Sequence, residues 1–166
     1  MSDLTPLEKL QPCLLDRLTD DEPLKQEESR SQRVISHQKY RRGVLRDLEW
    51  LFNSSALVEL DPARAARLKD FPEVHRSVLN FGVRQLYGVT AVDLEHLQEE
   101  LVQVIQIFEP RIVARTLRIR VDLERNLATF DLEGELWASP LPDHLHVKTT
   151  LDVETGQSLL GDSTNG

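Results

Sequence analysis

Residues 94–123 read LEHLQEELVQVIQIFEPRIVARTLRIRVDL, and the spacing of their apolar residues changes near the middle. Up to Phe108 the apolar residues recur every three or four positions, which predicts an amphipathic helix whose start lies at Thr90. From Leu117 to Leu123 they alternate with charged residues, which predicts a strand with one buried face. A core helix therefore precedes a strand, and Glu109-Pro110-Arg111 stands at their junction.

The junction places two opposite charges where the helix gives way to the strand. Because proline disfavours the helical conformation for the residue before it, we expect the helix to stop at Phe108 and Glu109 to be extended. Glu109 and Arg111 would then point the same way, since residues two apart share a face of an extended chain. Two interpretations stay open: the pair anchors the helix end to the first strand, or it forms a docking point for a partner.

The flanking sequence predicts the remaining elements of the fold. A helix from Ser36 carries an apolar stripe and is closed by Asn53-Ser54-Ser55. Alternation then predicts a second strand after a turn at Arg125-Asn126, with Gly134 as a weak spot or bulge, and a third strand from Leu145 to Val153. We therefore predict an α+β fold in which N-terminal amphipathic helices pack on a C-terminal antiparallel β-meander of about three strands.

Composition shifts divide the chain into three parts. Residues 1–33 are predicted to form an N-terminal segment with a short helix at 12–18 and a polar linker at 19–33. Residues 34–156 form the α+β domain, and residues 157–166 form a flexible tail. Within the domain, Asp61-Pro62 predicts the start of a short helix, and residues 72–80 predict a short helix with irregular turns.

Charge and cysteine content narrow the classes of function. The 166 residues carry a formal net charge of −8 with a pI near 5.1, which disfavours nucleic-acid binding because phosphate contacts need a basic surface. A single cysteine, Cys13, excludes an intrachain disulfide and is expected to be a buried thiol. The sequence shows no transmembrane span and no signal peptide in residues 1–10, so we expect a cytoplasmic protein.

Residues capable of chemistry form no persuasive site. No glycine-rich nucleotide loop and no Gly-x-Ser-x-Gly elbow occur, so we predict no cofactor and no serine hydrolase. His144 and His146 share a strand face but lack a clear third ligand, so we predict no metal site and an exposed or satisfied pair at a sheet edge. The carboxylates of Glu109, Glu133 and Glu135 leave glycoside hydrolysis as a minor alternative.

Five motifs in order resemble a known family. They are LLDRLTDDEP at residues 14–23, RGVLRDLEWL at 42–51, SVLNFG at 77–82, FEPRI at 108–112 and GELWA at 134–138. Together they are similar to the TssE family, the small baseplate subunits of bacterial type VI secretion systems, over roughly residues 12–156. That family is similar in turn to the small wedge protein of contractile phage-tail baseplates, and Glu-Pro-Arg is its signature.

The resemblance implies a non-enzymatic structural role. It implies baseplate partners TssF, TssG and TssK, sheath partners TssB and TssC, and a location at the inner membrane face. It also implies that Glu109, Pro110 and Arg111 form an interaction site and that the strands beginning at Leu117, Ala128 and Leu145 offer an edge to a sheath strand. The alternatives are a regulatory anti-adaptor of the same superfamily, which binds a response regulator, and a peptidoglycan hydrolase.

Overall fold

A computed structural model shows an α+β fold, as the sequence predicts. It describes residues 10, 13–18, 35–57, 66–67, 70–83, 94–124, 127–137, 143–152 and 158–162. The helices are α1 (Leu14–Leu18), α2 (His37–Phe52) and α3 (Leu94–Phe108), with two 3₁₀ helices at Pro72–Arg76 and Val78–Asn80. The strands are β1 (Arg118–Glu124), β2 (Leu127–Leu136), β3 (Asp143–Asp152) and β4 (Ser158–Asp162).

Helix α2 forms as its sequence pattern predicts. The Ser36 hydroxyl accepts a hydrogen bond from the Lys39 backbone N–H at 3.2 Å, which satisfies one of the free amides at the helix start. Asn53 ends the helix, and its backbone N–H donates to the Glu49 carbonyl at 3.0 Å. The predicted apolar stripe is buried, with Val44 and Leu48 fully enclosed, so α2 forms one wall of the core.

Helix α3 forms the second wall and ends at Phe108, as predicted. Leu97, Leu101 and Ile105 face the core, and the helix packs beside β1. The predicted start at Thr90 lies outside the described residues, as do the Asp61-Pro62 helix start, the Arg125-Asn126 turn and the 19–33 linker. No helix in the described part of the chain is long and apolar enough to cross a bilayer.

The strands form one antiparallel sheet in the order β1-β2-β3-β4. The three predicted strands are present, and the structure adds a fourth where the sequence predicted a flexible tail from residue 157. Strand β4 pairs with β3, placing Leu160 opposite Thr149. Its sequence, SLLGD, has no alternation that would reveal it. Strand β4 is held by backbone hydrogen bonds to β3, and this pairing requires no particular order of apolar and polar residues in β4.

Gly134 does not form the predicted bulge. The pairing of β2 with β3 continues without interruption through Gly134 opposite Leu145. A Cβ atom at position 134 would lie 3.0 Å from Cγ2 of Ile112, which is buried in the core. The glycine therefore makes room for Ile112, which itself pairs in an isolated bridge with Leu136.

The predicted N-terminal segment is attached to the domain at the points that the structure describes. Leu10 belongs to the hydrophobic core, and its carbonyl accepts a hydrogen bond from the Ile35 backbone N–H at 3.2 Å. Helix α1 leaves Leu14 and Leu18 exposed but turns Asp16 toward α2. Residues on the two sides of the proposed boundary at residue 33 are therefore joined by apolar packing and by polar contacts.

A glycine fixes the crossing between the end of α2 and the segment that follows the 3₁₀ helices. Val83 forms a parallel bridge with Ser55, and its backbone N–H donates to the Ser54 carbonyl at 2.9 Å. Gly82 has a φ of 134°, and a Cβ there would lie 2.5 Å from the Ser54 carbonyl oxygen. Both the backbone conformation and the available space therefore require glycine.

We predict that Gly82→Ala destabilises the protein by at least about 1–3 kcal/mol, because alanine must adopt a strained backbone and displace the Ser54 carbonyl. Urea unfolding monitored by circular dichroism measures the change. The matched control is His75→Ala, an exposed position in the preceding 3₁₀ helix. Equal stability of the two variants would contradict the requirement for glycine.

Candidate interaction site

The Glu109-Pro110-Arg111 junction is a tight turn. Glu109 still donates its backbone N–H to the Ile105 carbonyl at 2.8 Å, and its own carbonyl accepts from the Ile112 N–H at 3.1 Å. Pro110 therefore occupies the second position of a four-residue turn, which its fixed φ suits. The last helical hydrogen bond and the turn hydrogen bond follow each other directly, so the chain reverses immediately after α3.

The two charged side chains of the motif, for which the sequence left an internal and an external role open, form an ion pair with each other. Arg111 Nε donates to Glu109 Oε1 at 2.5 Å, and Arg111 Nη2 donates to Glu109 Oε2. The Arg111 backbone N–H also donates to Glu109 Oε1 at 3.3 Å. Glu109 is only 2% exposed, so its carboxylate is buried in a bidentate ion pair.

A second carboxylate completes the coordination of Arg111. Asp47, in the middle of α2, accepts a hydrogen bond from Arg111 Nη2 through Oδ2 at 2.5 Å. The guanidinium carbon also lies 6.0 Å from the centre of the Tyr40 ring, within cation–π range. Arg111 thus joins the end of α3 to two turns of α2.

The charge network continues from Asp47 to α1. Asp47 Oδ1 accepts from Arg46 at 2.8 Å, and Arg46 Nη1 donates to Asp16 Oδ1 at 2.8 Å. The Cys13 thiol donates to Asp16 Oδ2 at 3.0 Å and is partly buried, where the sequence predicted full burial. We call this set of alternating charges the clasp; its members are Glu109, Arg111, Asp47, Arg46 and Asp16.

Ionisation of the clasp follows from its contacts. Burial alone would lower the pKa of Arg111, but the hydrogen bonds and charges of Glu109 and Asp47 outweigh it and raise that pKa. Burial alone would raise the pKa of Asp16, but hydrogen bonds from Cys13 and Arg46 outweigh it and lower that pKa below 3.8. Both groups are therefore charged at neutral pH.

Backbone pairing attaches the motif to the sheet. The Trp137 N–H donates to the Arg111 carbonyl at 2.7 Å, and the Val113 N–H donates to the Glu135 carbonyl at 2.8 Å. The Trp137 carbonyl accepts from the Tyr40 hydroxyl at 2.9 Å. Burial raises the pKa of that hydroxyl, which keeps it protonated as a donor. The segment after Pro110 is thus held between β2 and α2.

The outer surface of this site is apolar. Pro110 is exposed, and the indole of Trp137 is 71% exposed although its backbone is fixed beside Arg111. The sequence did not single out Trp137 as a site residue. Its proximity to the motif depends on the bridge between Ile112 and Leu136, which no local pattern announces.

The two histidines on β3 have different surroundings. His144 is largely exposed, with Glu135 at 4.0 Å, whereas His146 Nε2 lies 2.6 Å from Asp131 Oδ1. Both histidines lie in the part of β3 that pairs with β2 alone among the described strands, because β4 reaches only from Val147 to Leu151, so the pair lies at a sheet edge as predicted. Glu133 joins Asp131 and His146 within 4.8 Å, giving His146 two carboxylate neighbours that spacing along the chain did not predict.

The carboxylates considered for glycoside hydrolysis have separate environments. Both oxygens of Glu109 are occupied by Arg111, so this residue is not placed as a general acid. Glu133 is exposed, and Glu135 is half-buried near His144. The geometry therefore gives Glu109 a structural role in its own fold.

Comparison with protein families matches residues 38–141 to the baseplate wedge protein gp25. The chain belongs to the baseplate wedge protein gp25 family. The match covers α2, α3, β1, β2 and the whole Glu109-Pro110-Arg111 turn, and it confirms the predicted resemblance to a baseplate wedge protein. It supports a structural role in a phage-tail-like baseplate, in contact with other baseplate components. Comparisons with curated proteins and with solved structures gave no significant match.

For this gp25-family chain we predict that Arg111→Ala lowers the free energy of unfolding by about 3–5 kcal/mol, because it leaves the buried Glu109 carboxylate without its partner. Urea unfolding measures the loss. Arg115→Ala, an exposed change four residues away, is the control and should have little effect. The double variant Glu109→Gln with Arg111→Ala should recover part of the loss. Equal stability of the two single variants would refute a buried clasp.

Because the pKa of Asp16 is lowered, the stabilisation from its contact with Arg46, which attaches α1 to α2, depends on pH. A lowered folded-state pKa means that the stabilisation is complete above 3.8 and is lost as the pH falls through the folded-state value. We predict that Asp16→Asn is about 1–3 kcal/mol less stable than wild type at neutral pH. This gap should shrink below pH 3.8. Denaturant unfolding of both proteins across this range checks the sign; a gap that widens in acid would contradict it.

Proposed function

We propose that the chain is a baseplate subunit of a type VI secretion system, similar to TssE, that joins the wedge complex and helps start assembly of the contractile sheath. The family match across the turn and the first two strands of the sheet carries this proposal. The order of the five sequence motifs supports the secretion system in particular. The role is structural and non-catalytic, with TssF, TssG and TssK as baseplate partners, TssB and TssC as sheath partners, and the cytoplasmic side of the inner membrane as its location.

In this proposal the Glu109-Pro110-Arg111 turn binds a partner through its shape. Glu109 is buried in its ion pair, and the side chain of Arg111 is only 18% exposed. The charges therefore stabilise the turn, while the exposed Pro110 and Trp137 contact the partner. An exposed tryptophan on a fixed backbone is a frequent anchor of protein interfaces, since it buries a large area at little entropic cost. The clasp would determine where that anchor stands.

The sheet supplies a second contact. Among the described strands, β1 and β4 are the outer ones and β2 is paired on both sides, whereas β3 is paired with β4 only from Val147 to Leu151. The expected edge at Ala128 is therefore covered by β1, and Leu145 lies in the part of β3 that β4 does not reach among the described residues. The longer free edges are those of β1 and β4. We propose that a sheath strand adds to one of these two edges, because main-chain hydrogen bonds give affinity while alternating side chains give register.

We predict that Pro110→Glu and Trp137→Ala each weaken binding to the baseplate complex about tenfold or more. Sheaths are counted by fluorescence of labelled TssB in cells that lack the native gene and express the variant. Affinity is measured by binding of the purified variant to the purified TssF–TssG complex. The matched controls are Ala114→Glu, which adds the same charge to the next turn, and Phe71→Ala, which removes another exposed aromatic side chain. If cells carrying Pro110→Glu or Trp137→Ala at wild-type abundance assemble normal numbers of sheaths, the proposal that this surface binds the baseplate is wrong.

A pull-down followed by mass spectrometry tests the class of function. Recovery of baseplate subunits supports the proposal. A stoichiometric complex with a response regulator and no baseplate subunit would instead establish the anti-adaptor alternative. Muramidase activity of the pure, folded protein would establish the hydrolase alternative.

A further inference from the structure

Strand β1 has a charge pattern that reverses about its centre. It reads RIRVDLE from Arg118 to Glu124. Arginines stand three and one positions before Val121, and acidic residues stand one and three positions after it. Arg118, Arg120, Asp122 and Glu124 are all exposed on the outer face of the sheet. The strand is therefore complementary to an antiparallel copy of itself.

The outer edge of β1 is available among the described strands, because β1 is the first strand of the sheet. Its core-facing residues Val121 and Leu123 are only partly buried. Unpaired main-chain groups and half-covered apolar side chains at one edge favour the addition of another strand. Soluble proteins often prevent such addition with like charges along the edge, but here the charges change sign midway.

The arginines of β1 do not use the acidic residues opposite them in β2. Arg118 stands opposite Glu133 and Arg120 opposite Asp131, yet neither arginine forms an ion pair in the described part of the chain. Asp131 lies against His146 in the next strand. Arg118 turns away and donates to the backbone carbonyls of Arg115 and Leu117 at 3.2 and 2.9 Å.

We infer that β1 associates with β1 of a second copy of this chain, antiparallel and centred on Val121. In this register Arg118 faces Glu124 of the second copy, and Arg120 faces Asp122 of the second copy. The two-fold axis repeats both contacts, giving four ion pairs, and Ile119 lies opposite Leu123 of the second copy. The result is a closed dimer with one continuous eight-stranded sheet, since an isologous contact cannot propagate into a fibre.

This register satisfies three constraints at once. Opposite charges face each other across the strands, which stabilises sheet pairing. The period of two along the strands keeps all the charges on the outer face and all the apolar residues on the core face. The outer edge of β4 stays open in the dimer, so the inference stands independently of the proposed sheath contact.

Charge reversal on the full-length chain tests the register. Arg118→Glu with Arg120→Glu makes the outer face of β1 wholly acidic, whereas Asp122→Arg with Glu124→Arg makes it wholly basic. Sedimentation equilibrium at low ionic strength should show a concentration-dependent dimer for wild type. Each double variant should raise the dimer dissociation constant at least about tenfold, because like charges then face each other.

Recombination of the variants distinguishes the register from a general effect of charge. An equimolar mixture of the acidic and basic variants should form a heterodimer, and the chain carrying all four reversals should dimerise like wild type. Arg42→Glu with Arg67→Glu is the control, since it changes net charge equally at exposed positions away from β1 and should leave dimerisation intact. Circular dichroism confirms that each variant is folded.

Two results would overturn the inference. The first is wild-type protein that remains monomeric at every concentration. The second is a heterodimer of the acidic and basic variants while wild type and the fourfold variant stay monomeric, because the attraction would then come only from the added charges.

Discussion

The ion pair between Arg111 and the carboxylates of Glu109 and Asp47 is the contact on which the arrangement of the domain depends. It joins the end of α3, the middle of α2 and the segment that pairs with the end of β2. A buried charge without a partner is costly, so each of these elements is held in place by the other two. The apolar core supplies most of the stability, and the clasp fixes how the helices meet the sheet.

The side chains of the clasp become more exposed from Glu109 to Arg46, and Asp16 at the far end is again buried. Glu109 is almost wholly enclosed, whereas the side chain of Arg46 retains about a third of its exposure, and Arg46 also lies against the exposed Trp50 ring. Because solvent screens exposed ion pairs, the contact from Arg46 to Asp16 contributes less than the pair at Arg111. The attachment of α1 is therefore the weaker end of the network.

Local periodicity predicted α2, α3 and three strands because each has one face buried against the same core. The same reasoning missed β4, whose pairing depends on backbone groups of β3. It also predicted a bulge or weak spot at Gly134, whereas glycine is needed there because the side chain of Ile112, distant in sequence, occupies the space. It predicted that Glu109 and Arg111 would point the same way but gave no sign that Asp47 of α2 would join them. Which residues of a polar face approach position 111 depends on how α2 crosses α3, and spacing within one helix does not contain that information.

The two interfaces that we propose would use different kinds of recognition. At the Glu109-Pro110-Arg111 turn the charges already have partners, so a protein that binds there meets Pro110 and the indole of Trp137, and the binding free energy must come mainly from apolar burial. At β1 the arginines and carboxylates have no ion-pair partners among the described residues and point outward, so recognition there must be electrostatic and sensitive to salt. In these proposals the charged Glu109-Pro110-Arg111 turn would act through its shape, while the charges of β1 would select the partner.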